Sequence, residues 1–261
     1  MVQARLRDTG ATNINGWELW NEPGEQWDTA KAGLYVDGWT RTYRKVRSLD
    51  ATTPIIGPGL SGYDHNQMVA FMTNAKNTNT LPDTAVWHSL ADNGYLTLGD
   101  EVADYRAIER SLGISPRPIS INEYGSPGQV DIPSIGVHYM AVLERFGITD
   151  AQRAYWYEAG TSDGLFTPDG QPTASYWAYK WYGNMAGNVV RTTPVLSDGV
   201  AAYDGSSKIV NVVFGGDGAR TPSRSTASRP AARRSRSPCR RPGRPVASPP
   251  PPPPRPCRPA P

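Results

Sequence analysis

An α/β fold, with a parallel sheet whose repeat matches a (β/α)8 barrel, is predicted by three features of this sequence. From residue 14 to 190 short apolar strands alternate with helical stretches, and no strand-to-strand hairpin intervenes, which is the pattern of a parallel sheet. Successive strands begin 31 to 39 residues apart, near the ~31 residues per unit of a 250-residue eight-fold barrel. The strands are also too apolar to keep one face in water, as expected of staves buried on both sides.

In order along the chain, strands are expected at INGWELW (14–20), TPIIGPG (53–59), TAVWHSL (84–90), RPISINEY (117–124) and RAYWYEA (153–159). The stretch 35–49 sets Tyr35, Trp39, Tyr43 and Val46 at i, i+4, i+8 and i+11, one apolar stripe along a helix. Helices are expected likewise at 100–113 and 132–147, each closed by a glycine suited to a C-cap, and at 173–187. Beyond residue 190 the texture changes. Residues 195–216 read as two antiparallel strands around DGSS, the start of a small β-sandwich. From residue 219 on, 43 residues hold 14 Pro and 11 Arg, with no Lys and no acid. Such a segment buries no core and is expected to be disordered.

The net charge of +3 averages two unlike parts. With 11 of the 27 basic residues in the tail, residues 1–218 keep 16 against 24 acidic residues, a net of −8. Both cysteines, Cys239 and Cys257, lie in the tail, so residues 1–218 have no disulfide framework and no cysteine-based zinc site. With three dispersed histidines and no clustered aspartates, no metal site is readable. No apolar run approaches the ~18 residues of a membrane span. The first residues lack the apolar stretch of a signal peptide. GPGLSG (57–62) is glycine-rich without the lysine of a phosphate-binding loop, and reads as the turn after a strand. All eight Trp lie before the tail, a surplus suited to lining a sugar site.

Two carboxylates stand out. Glu22 ends the first strand in WELWNEP (17–23), and Glu123 ends the fourth in ISINEYGS (119–126). Each is preceded by an asparagine, Asn21 and Asn122, and the pair is separated by 101 residues, about three strand–helix units. The C-terminal ends of parallel strands face the mouth of a barrel, so both carboxylates should share one rim. Two carboxylates across a cleft suit glycosidic bond cleavage, one protonating the leaving oxygen and the other attacking the anomeric carbon or activating water. Trp17, Trp20 and Trp156 are candidate aromatic walls, with one of Trp17 and Trp20 a core residue. Glu18 shares the strand face of Glu22 and reads as a buried, hydrogen-bonded barrel residue. His88 is a site or core histidine. Glu158 binds a sugar hydroxyl or sits at the loop edge.

WELWNEP followed by INEYGS resembles the clan A retaining β-glycoside hydrolases, whose fold is a TIM barrel. The resemblance implies that Glu22, ending the fourth barrel strand, is the acid/base and Glu123, ending the seventh, the nucleophile. It implies that Asn21 meets the sugar 2-hydroxyl and that Trp156 lies under the catalytic sugar. The segment from FTPDG to YWAYKWYGNMAGN (166–188) is most similar to glycoside hydrolase family 39, the β-xylosidase and iduronidase group, which carries a β-sandwich after the barrel. Against that pattern, Leu90 stands where the clan often has a tyrosine two residues after the histidine.

The resemblance implies a β-xylosidase-like activity on plant-type polysaccharide, with a carbohydrate partner, no cofactor, and neither nucleic acid nor membrane. It also implies a truncated barrel holding strands 4–8. The expected domains are a partial catalytic domain over 1–190, a sandwich start over 191–218 and the tail over 219–261, read as out of frame after a break near Asp217. Arginine contacts to nucleic acid and a polyproline ligand are the competing readings of that tail. A secreted full-length parent is expected, and a chain that is marginally stable and poorly active. The competing functional reading is a non-catalytic remnant with weak sugar binding.

Overall fold

A computed structural model describes residues 14–156, 160–194 and 198–215. Its strands β1 (Trp17–Glu18), β2 (Ile55–Leu60), β3 (Thr84–Trp87), β4 (Ile119–Tyr124) and β5 (Asp150–Arg153) form one sheet in the order β1-β2-β3-β4-β5. Every pairing in it is parallel, with Trp17 opposite Ile55, Ala85 opposite Ile119 and Ser120 opposite Asp150. The sheet curls as a half-barrel, with helices connecting its strands. β2 and β3 are almost wholly buried, as their unbroken apolar runs require.

After β1 come two short helices, α1 (Pro23–Gln26) and α2 (Thr29–Ala32), and then α3 (Tyr35–Leu49). The stripe expected on α3 is real: Trp39 and Val46 are buried in the core, while Tyr35 and Tyr43 pack against it from the margin. The helix α4 (His65–Asn77) is absent from the sequence reading. Its signals are ordinary ones: the Asp64 side chain accepts the Gln67 N–H at 2.8 Å as an N-cap, and Met68, Phe71, Met72 and Ala75 form the buried face. α5 (Gly94–Ser111) begins six residues before the expected start, α6 (Pro133–Phe146) matches its expected span and α7 (Ala174–Gly183) ends earlier than expected.

Two strands depart from expectation. β1 pairs over only two residues, because the chain then turns so that Glu22 takes a left-handed conformation, φ 48°, at the start of α1. β5 falls at 150–153, before the apolar run expected to form it. Its polar residues suit a sheet edge. Asp150 accepts the Ser120 hydroxyl at 2.8 Å, and the Arg153 guanidinium bonds the carbonyls of Val130 and Asp163.

The last elements are β6 (Asn188–Val190), β7 (Asp198–Asp204) and β8 (Ile209–Gly215), an antiparallel sheet in that order. The hairpin around DGSS is as expected, and β6 adds a strand that the sequence reading did not contain. Among the described residues these strands make a single sheet, not a sandwich. One face packs on α6 and α7 through Val137, Met140, Ala178 and Val200. Arg145 on α6 clamps it by an ion pair to Asp198, 2.5 Å long, whose carboxylate is 5 % exposed. Replacing Asp198 with alanine leaves the arginine only its contacts to Thr192, with an expected loss of about 3 kcal/mol in denaturant unfolding. The double variant Asp198→Leu, Arg145→Met is expected to lose much less.

Among the described residues, no helix is long and apolar enough to cross a membrane. The tail expected over 219–261 lies outside the described residues.

Candidate active site

The C-terminal ends of β1 to β5 are joined by backbone hydrogen bonds that continue past the strands. Glu22 N–H donates to Gly59 O at 2.7 Å, His88 N–H to Leu60 O at 2.9 Å, Ser89 N–H to Glu123 O at 2.8 Å and Ala154 N–H to Tyr124 O at 2.9 Å. Each residue that starts a loop is therefore pinned to the neighbouring strand. This rim fixes the backbones of Glu22, His88 and Glu123 and brings the chain toward Trp156.

Gly59 makes the first of these contacts possible. Its φ is +77°, and a Cβ there would lie 2.2 Å from Trp20 O and 3.0 Å from Glu18 Oε1. A residue with a side chain would be strained at this φ and would push β1 away. Beside it, the Tyr35 hydroxyl donates to Pro58 O at 2.9 Å.

The side chains converge as their backbones do. His88 is fully buried, and its Nδ1 lies 3.1 Å from Glu22 Oε1 and 3.8 Å from Glu123 Oε2. The Nδ1 of His88 and Oε1 of Glu22 are within hydrogen-bond distance, and which of them donates depends on the tautomer of the ring. His88 Nε2 is buried with no partner. His88 lies between the two carboxylates, hydrogen-bonding one and approaching the other. The ligating atoms of Glu22, His88 and Glu123 all lie within 4.8 Å of one another, a spacing that a divalent cation could bridge. The sequence reading finds no such cluster, because its members are far apart in the chain.

Of the other predicted site residues, Trp156 holds its indole beside the end of β4, with Nε1 donating to Gly125 O at 3.0 Å. Trp20 packs edge-on against Trp27, with 4.9 Å between ring centroids. Trp17 donates Nε1 to Asp50 Oδ2 at 2.8 Å, and both Trp17 and Trp20 pack half-buried against the core. Asn21 is exposed on the rim. Glu158 lies outside the described residues. Glu18 is hydrogen-bonded as expected, accepting Asn122 Nδ2 at 2.6 Å, but it is exposed rather than buried. It sits on β1, at the edge of the sheet. Its partner Asn122 stands 104 residues away, and no local pattern in the sequence marks the contact.

Two curated proteins align with much of the chain. A 3-O-alpha-D-galactosyl-alpha-L-arabinofuranosidase of Bifidobacterium longum subsp. longum is 30% identical over 229 residues, 75% of this chain and 20% of its own length. A 3-O-beta-L-arabinopyranosyl-alpha-L-arabinofuranosidase of Bifidobacterium pseudocatenulatum is 32% identical over 181 residues, 66% of this chain and 18% of its own length. This chain is similar to glycoside hydrolases. It spans about a fifth of the length of these curated relatives. Among solved structures, N2152 from Neocallimastix frontalis superposes with a TM-score of 0.76 at 34% identity, covering 82% of this chain and 55% of that one. A GH39 beta-xylosidase from Caulobacter crescentus superposes with a TM-score of 0.60 at 18% identity over 78% of this chain and 49% of that one, a likeness of fold. No protein-family model matches the chain.

Proposed function

We propose that the rim carrying Glu22 and Glu123 is the active site of a retaining glycoside hydrolase, as in glycoside hydrolase family 39. The observation that carries this reading is the approach of the two carboxylates, oxygen to oxygen within 4.8 Å. Retaining glycosidases hold their carboxyl groups about 5–5.5 Å apart, whereas inverting ones leave about 6.5–9.5 Å for a water molecule. Glu123, the more open of the two, attacks the anomeric carbon as its bond to the leaving oxygen breaks. Glu22 gives that oxygen a proton. Water then cleaves the glycosyl ester as Glu22 takes up its proton, which restores both carboxyl groups. His88 positions Glu22 through Nδ1, Asn21 stands on the rim to meet a sugar hydroxyl, and Trp20 and Trp156 flank the sugar.

A terminal α-L-arabinofuranoside is the first substrate to test, because both curated relatives are named as arabinofuranosidases. The β-xyloside implied by the sequence motifs is the second. Proton NMR of the first product from an aryl α-L-arabinofuranoside is expected to show retained configuration. Inversion would overturn the mechanism. Glu22→Gln is expected to slow substrates with poor leaving groups by about 10²–10⁴-fold, and activated aryl glycosides far less in the first step. Equal slowing for both would remove Glu22 from the acid role.

The exposed Glu18 and the two-residue pairing of β1 favour a second reading, a weak sugar-binding remnant. Sugar binding in calorimetry without turnover of either glycoside would select it.

A further inference from the structure

β1 and β4 are not neighbours in the sheet, as β2 and β3 lie between them. They nonetheless meet across its concave face, where Asn122 Nδ2 donates to Glu18 Oε2 at 2.6 Å. Asn122 immediately precedes Glu123, so this bond acts on the backbone that presents the nucleophile. The other Glu18 oxygen, Oε1, occupies space that Gly59 leaves by having no Cβ. Asn122 Oδ1 is buried with no partner, so the Glu18 bond is what orients this amide.

We propose that Glu18 is a third carboxyl group of the site, a positioning residue that holds Asn122-Glu123 through its hydrogen bond. This rests on the reading of Glu123 as nucleophile. Two adjacent carboxylates do not both ionise cheaply, and environment decides which keeps the proton. Although the residue as a whole is exposed, desolvation of its carboxyl end pushes Glu18 up to about 7, the Asn122 N–H pulls it back, and Glu123 pushes it up again. Part of Glu18 still meets solvent, which screens and moderates these effects. Tyr35 on α3 feels the Glu18 charge, and Glu22 and His88 stand on the same rim. None of these facing groups is a fixed cation that would hold Glu18 ionised. Because folding raises this group above the ordinary carboxylate range, its contribution to stability is full at acid pH and is lost as pH rises through about 7.

The test uses the full chain labelled with ¹³C at the glutamate carboxyls and needs no turnover. A resonance titrating near pH 7 is expected, absent from Glu18→Gln. Asn122→Ala removes the hydrogen bond that favours the charged form, so the same resonance is expected to move to higher pH. If no such resonance exists, or if it survives in Glu18→Gln, the proposal fails. No movement in Asn122→Ala would also overturn it. Where the chain turns over, the ratio of kcat/KM for Glu18→Gln to the unmutated chain is expected to change through neutral pH. A ratio flat from about pH 5 to 9 would reduce Glu18 to a structural residue. Failure of Glu123 as nucleophile shows separately, as full turnover in a Glu123 variant.

Discussion

Replacing Glu123 with glutamine is expected to lower kcat on an aryl α-L-arabinofuranoside by on the order of 10⁴-fold or more. The substitution keeps the size and shape of the side chain. The bond from Ser89 N–H to the residue-123 carbonyl belongs to the backbone and is untouched. The loss is therefore chemical. A neutral amide cannot displace the leaving oxygen and form the glycosyl ester. Glu123→Ala gives the complementary result. It opens room for a small anion such as azide, which is expected to restore turnover and to yield a product inverted relative to the substrate. Steady-state kinetics, with circular dichroism to confirm an unchanged melt for Glu123→Gln, checks both. Activity within tenfold of the unmutated chain would remove Glu123 from the nucleophile role.

Trp39→Ala is expected to have the largest effect on stability, about 3–5 kcal/mol. Trp39 is fully buried, donates Nε1 to Thr80 O at 2.9 Å and stands edge-on to Phe71 at 4.9 Å between centroids. Its ring also fills the space over Gly57, where a Cβ would come within 2.3 Å of the indole. Truncation empties the seam between α3, α4 and β2 and leaves the Thr80 carbonyl unpaired. For a domain of this size the melting temperature is expected to fall by roughly 6–20 °C, measured by calorimetry or denaturant titration. A loss under about 1 kcal/mol would mean that the seam repacks and that the core is not organised around this residue.

The curled parallel sheet and its connecting helices were legible from periodicity. Trp39 and Val46 on one stripe place α3, and the apolar runs at 53–59 and 84–90 place β2 and β3. α4 has no distinct sequence signal beyond its ordinary helical spacing, which is shared by many stretches of the chain. β5 was placed too late because sequence reasoning follows apolar runs. This edge strand is polar, and residues 154–156 after it lie outside any strand.

By itself the sequence determined which groups are available for chemistry. Glu22 and Glu123 each end a strand, each follows an asparagine, and parallel strands turn their C-terminal ends to one mouth. Those local rules are enough to put two carboxylates on a common rim. Only the tertiary structure decided how close they come, that His88 lies between them with Nδ1 toward both, and that Asn122 reaches Glu18 across the concave face. Those relations depend on the curl of the sheet and on side chains from strands that are not neighbours. Curl is the sum of many small twists and packing contacts, and no local pattern of residues records it.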